Sequence, residues 1–123
     1  GLLGTYLIRE LLGTGEQVVG LYRSALPDNL SSDELDQVEW VQGDILDVSL
    51  LSDAMAQCDK LYHCAGLVSF NPRMASKLMK VNVEGTANVV NVALANGIKK
   101  LIHVSSVAAI GRKRNNETIK RII

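Results

Sequence analysis

Apolar and polar positions follow two different periods along this chain. Short runs that are apolar or alternate residue by residue occupy 17–23, 38–42, 60–66 and 100–104, and each reads as a strand. Between them the apolar residues recur at steps of three and four. Leu3, Leu7 and Leu11 predict a first helix, stopped by Gly13-Thr14-Gly15. Ser49 is the expected cap of a helix through Leu50, Leu51, Ala54 and Met55. After Asn71-Pro72 one long helix is predicted, with Met74, Leu78, Val81, Gly85, Val89 and Val92 along its buried face and Asn96-Gly97 at its end. The segment 25–37 reads as a polar loop with one helical turn, and the basic tail 112–123 as a solvated loop or frayed helix.

Strands that alternate with helices at these intervals predict an α/β fold, a doubly wound parallel sheet with right-handed crossovers and helices on both faces. The 123 residues amount to one domain, 1–123, and 47% apolar residues suffice for a core. The four strands count as the second to fifth of such a sheet. A first strand is expected ahead of Gly1, so the fold is read as incomplete, without its first strand and its C-terminal part. Formal charge is zero and aromatics are 4%, which gives no electrostatic or stacking reason to expect nucleic acid or an anionic membrane as a partner. Cys58 and Cys64 form no disulfide framework and have no metal-ligand spacing with His63 or His103; no metal is expected, and a reducing, cytoplasmic compartment is.

In an open parallel sheet, ligands collect beyond the carboxyl ends of the strands, and the candidate chemistry of this sequence falls there. Gly1, Leu2, Leu3 and Gly4 make a glycine-led helix start, whose free N–H groups and positive dipole end suit a phosphate. Tight helix packing accounts for the same glycines. Arg23 ends the strand after that helix, where a carboxylate would bind a ribose 2′-hydroxyl and an arginine a 2′-phosphate. Asp44, in Gly43-Asp44-Ile45, follows the next strand and either accepts from an adenine amino group or simply forms a turn. The small residues Cys64, Ala65 and Gly66 let a flat or sugar-like group lie against backbone. Asn82 is placed toward the same crevice. Ser106, where the last strand gives out, is the candidate catalytic hydroxyl, and ending the strand is its plainer role. His63 and His103 read as packed core histidines.

Taken together these motifs resemble the extended short-chain dehydrogenase/reductase superfamily, specifically the NAD(P)-dependent epimerase/dehydratase family and its dihydroflavonol-reductase-like branch. Gly1-Leu2-Leu3-Gly4 is similar to the second half of the family's Thr-Gly-x-x-Gly-x-x-Gly turn. Gly43-Asp44-Ile45 resembles the adenine-contacting element, and His63-Cys64-Ala65-Gly66 the strand end beside the ribose and nicotinamide. Val81-Asn82-Val83-Glu84-Gly85-Thr86 is similar to the Asn-x-x-Gly-Thr helix motif, and Val104-Ser105-Ser106 to the strand end that supplies the active-site Ser or Thr. The resemblance implies a Rossmann fold, an NADP or NAD cofactor, a small-molecule substrate and a homodimer. It further implies that Ser106 hydrogen-bonds substrate while a tyrosine, with a nearby lysine, moves the proton. No tyrosine follows Tyr62, so the family's Tyr-x-x-x-Lys pair is absent from this chain, which is expected to be inactive alone. Ile110 stands where many sugar epimerases carry tyrosine, and Val68 where some carry lysine. Both turn the expectation toward a reductase or dehydrogenase of a small carbonyl or secondary alcohol, ahead of a nucleotide-sugar epimerase or dehydratase and of a non-catalytic NAD(P)-binding module.

Overall fold

In the computed structural model, which describes residues 1–110, helices and parallel strands alternate as the two periods predict. Helix α1 (Leu2–Gly13) leads into β1 (Val18–Tyr22), the short α2 (Ser32–Asp36), β2 (Val38–Gln42), α3 (Val48–Met55) and β3 (Lys60–His63). A 3₁₀ turn at Pro72–Met74 opens a continuous helical stretch made of α4 (Ala75–Met79), a π-helical turn (Lys80–Gly85) and α5 (Thr86–Ala95). Strand β4 (Lys100–His103) and a 3₁₀ turn (Val107–Ile110) complete the described chain, and the basic tail lies outside it. β1 pairs with β2 in parallel from Val18↔Val38 to Tyr22↔Gln42, and β3 with β4 from Lys60↔Lys100 to His63↔His103. Among the described residues the two pairs are not hydrogen-bonded to each other.

The core lies where α3 and α5 pack over β3 and β4. Ile45, Leu51, Met55, Val89, Val92 and Ala93 are buried together, and Leu61, Val81, Ile98 and Leu101 pack against them. The predicted stripe of the long helix is therefore its buried face from Val81 to Val92. Gly85 belongs to that face because a side chain there has no room: its Cβ would lie 2.4 Å from Ile45 Cδ1. Gly97 takes a positive φ of 68°, which lets the chain leave α5 and enter β4.

Two local expectations change, and the helical turn expected within 25–37 is present. The cap of α3 is Asp47, whose Oδ1 accepts from Leu50 N–H at 3.0 Å, not Ser49. A turn closed by Asp47 N–H on the Asp44 carbonyl, 2.9 Å, brings the chain to helical geometry two residues earlier. The polar loop contains a fully capped helix: Ser31 Oγ accepts from Glu34 N–H while the Glu34 carboxylate accepts from Ser31 N–H. In α1 the buried residue is Thr5, whose hydroxyl donates to Gly1 O at 2.9 Å, whereas Leu3 is 54% exposed. Leu7 and Leu11 of the same spacing are half-buried.

Candidate functional site

The strands end in pairs, and the candidate residues gather just beyond them. β1 and β2 finish in register, held by Gly43 N–H on Tyr22 O at 2.9 Å and by the Gln42 amide on Arg23 O at 3.4 Å. An open cavity of about 690 Å³ lies at this end, lined by Gly1, Leu2 and Gly4 of the α1 start, Arg23 at the strand end, Asn29 of the following loop, and Trp40. No side chain caps α1 and no acidic residue occupies its first turn, so the amides there remain available to an anion. Arg23 is exposed beside them. The cavity wall is fixed from behind: Arg9 Nη2 donates to Asn29 O at 2.7 Å, and Arg9 Nε bonds the Glu34 carboxylate at 2.8 Å. The Arg9 hydrogen bond, with help from Ser31 N–H, holds the Glu34 carboxyl down at about 2.

Asp44 and Ile45 stand differently from each other. Asp44 Oδ1 accepts from Leu46 N–H at 3.0 Å, the turn-forming role. Ile45 is buried in the core and its carbonyl accepts from Asn88 Nδ2 at 3.2 Å. The end of β3 approaches α1 closely, since a Cβ on Gly4 would lie 3.9 Å from Cys64 Cβ. Burial pushes the Cys64 thiol up, while Ala65 and Gly66 are exposed. The Asn82 side chain is engaged on the loop itself: it accepts from Leu67 N–H and donates to Leu67 O, both at 2.8 Å. Leu3 is not among the cavity-lining residues.

His63 is 4% exposed, with Nε2 3.0 Å from Thr86 Oγ1, as a packed, hydrogen-bonded histidine should be. Burial, and secondly the neighbouring His103, push its pKa below the usual 6.5. The rings of His63 and His103 stack at 5.2 Å and 22°, yet His103 is exposed, which corrects its reading as a core residue. Its position at the same register step puts it against His63 on one side only. Ser106 is exposed at the end of β4; its Oγ accepts from Ala108 N–H at 3.2 Å, so the hydroxyl hydrogen is not used by that bond.

Sequence reasoning missed Arg9, Trp40 and Asn88, and it placed Thr86 in the Asn-x-x-Gly-Thr motif without its contact to His63. The Ser31-x-x-Glu34 capping box was readable in advance, but nothing in the spacing joined it to Arg9, 25 positions from Glu34. The donor set and space fit a dinucleotide: unpaired amides for the pyrophosphate, a cavity walled by Trp40 and Arg23, and small residues at the end of β3.

Parallel strands, a glycine-led helix start and this crevice define a Rossmann-type nucleotide-binding unit. The chain belongs to the NAD dependent epimerase/dehydratase family, whose model matches residues 1–121. It is 39% identical over 118 residues to a Synechocystis sp. protein described as "Putative dihydroflavonol 4-reductase", covering 95% of this chain and 33% of that protein. Among solved structures it is similar to Pen from Bacillus thuringiensis, with TM-score 0.81 and 26% identity over 90% of this chain and 36% of that one. A short-chain dehydrogenase/reductase superfamily protein from Agrobacterium tumefaciens with bound NAD is similar too, with TM-score 0.72 and 27% identity over 86% of this chain and 30% of that one. The chain spans about a third of the length of the curated relatives it matches.

Proposed function

We propose that this chain is the cofactor-binding part of an NADP-dependent reductase or dehydrogenase acting on a small carbonyl or secondary alcohol. The observation that carries the reading is that the α1 start and Arg23 line one and the same cavity. Gly1, Leu2 and Gly4 bring backbone N–H groups to the pyrophosphate, and the Arg23 guanidinium pairs with a ribose 2′-phosphate. The cofactor, when bound, supplies the hydride chemistry. Ser106 turns its hydroxyl hydrogen toward the substrate oxygen and orients it for reaction. The chain offers no tyrosine after Tyr62 as the proton-transferring group. Val68 and Phe70, exposed on the loop after β3, support an apolar substrate wall better than a sugar site.

The name of the family keeps a second reading in place, a nucleotide-sugar epimerase or dehydratase. Spectrophotometric assay of the full-length protein separates the two: the proposal expects net consumption of reduced cofactor with carbonyl substrates, and sugar isomerisation without net turnover would overturn it. Arg23→Ala is expected to weaken NADP affinity by roughly tenfold, the loss of a charge-assisted contact, and to leave NAD affinity near its starting value. Equal effects on both cofactors would refute the 2′-phosphate role.

Two further points belong to the same proposal. Met79, Val83, Val90 and Leu94 form an exposed apolar stripe on the helix face opposite the core, which supports a homodimer through this helix. Free thiols at Cys58 and Cys64 support a cytoplasmic location, which fractionation would check.

A further inference from the structure

The side chain of Asn82 leaves the helix at its π-helical turn, Lys80–Gly85, and reaches a residue 15 positions earlier in the chain. There the amide binds both polar groups of one backbone unit. Leu67 N–H donates to Asn82 Oδ1 and Asn82 Nδ2 donates to Leu67 O, each at 2.8 Å. This reciprocal pattern requires a group that is acceptor and donor at once, and among side chains of this length only a primary amide is both. The same oxygen lies 3.6 Å from where a Cβ on Gly66 would stand, so the amide rests on the backbone of the preceding residue too. Four residues along the helix, Thr86 Oγ1 meets His63 Nε2 at 3.0 Å.

One helix thus fastens both ends of a five-residue span: His63, where β3 ends, and Leu67. Between the anchors lie Cys64, Ala65 and Gly66, small residues of which the last two are exposed. Cys64 sits beside Gly4 of the α1 start, so the span borders the amides that would hold a pyrophosphate. An i→i+5 turn is an uncommon interruption of an α-helix and shifts the side chains after it relative to those before. Here the interruption contains the residue that reaches the loop.

We propose that Asn82 is a positioning residue: it holds the 64–67 backbone as a flat platform for the nicotinamide-ribose half of the dinucleotide, and does not itself touch the ligand. This rests on the cofactor reading above. Both hydrogen-bonding ends of its amide are used on Leu67, and what it presents to the crevice is the shape of the loop.

None of residues 64–67 lines the cavity walled by Gly4, Arg23 and Trp40, and the test exploits that difference in lining. Calorimetric titration of the full-length protein would compare the oxidised dinucleotide it binds more tightly with the matching adenylate, adenosine 2′,5′-bisphosphate or AMP. Asn82→Ala is expected to weaken the dinucleotide about tenfold, the combined net worth of two exposed hydrogen bonds, and to change adenylate affinity less than twofold. Asn82→Asp, equal in size and at an exposed site, guards against misfolding: its carboxylate accepts from Leu67 N–H but opposes Leu67 O, so it too should lose the dinucleotide selectively. Unchanged dinucleotide affinity in both variants, or an equal loss for both ligands, would overturn the proposal. If the unsubstituted protein bound neither ligand, the cofactor reading itself would fall, and the platform with it.

Discussion

His63 is a titratable ring held buried among the described residues. Its protonated form is disfavoured by burial and by His103, so the folded-state pKa lies below the unfolded value of about 6.5. As pH falls through that value the unfolded chain takes up the proton first, and folding becomes less favourable. Stability is therefore expected to be full above about pH 6.5 and to decline as the medium is acidified toward the folded-state pKa. Denaturant titrations at several pH values would measure the slope. His63→Gln, which keeps a partner for Thr86 without a titratable ring, should flatten it, and an unchanged slope would assign the effect elsewhere. The burial of His63 was legible in the sequence, since it lies inside an apolar strand next to small residues. The exposure of His103 was not, because which edge of a strand pair stays open depends on what packs over it.

At the scale of elements, the long helix determines how the loops beyond β2 and β3 are held. Gly85 sits against Ile45, Asn88 holds the Ile45 carbonyl, and Thr86 and Asn82 hold the segment after β3. Gly85→Ala would gain up to about 1 kcal/mol in helix propensity. It would also force the core residue Ile45 out of position, and overpacking of this kind costs about 1–3 kcal/mol. A net loss of up to about 2 kcal/mol is expected, read as a lower denaturation midpoint at unchanged m-value; a more stable variant would show that Ile45 gives way freely. The helix stripe from Val81 to Val92 was predictable from spacing alone. The π-helical turn inside it was not, since apolar periodicity records which residues face the core and not which carbonyl each amide finds. Asp47 displaced Ser49 as a cap for a related reason: both residue types suit the role, and the turn at Asp44 decided between them.

For the molecule as a whole, the alternation of strand and helix patterns was enough to fix the α/β class and parallel pairing. The contacts that shape the crevice were out of reach, because they join residues far apart in sequence: Arg9 with Asn29, Asn82 with Leu67, Asn88 with Ile45. The homodimer proposal belongs at this scale. If a second copy covers the Met79–Leu94 face, Leu94→Glu, at a position 75% exposed, should convert dimer to monomer in sedimentation without lowering the denaturation midpoint. A species of unchanged mass would remove that face from the interface.

Trp40 is the single tryptophan of this chain. Its indole N–H donates to Leu35 O at 3.0 Å, its ring meets Tyr22 edge-on at 6.1 Å, and it lines the cavity between Arg23 and the α1 start. A lone fluorophore fixed in that way is a built-in optical probe. Light absorbed by Tyr22 passes to it, and a reduced nicotinamide cofactor nearby would accept its emission. Occupancy of the crevice can thus be followed in this chain by the quenching of one indole, with no label attached.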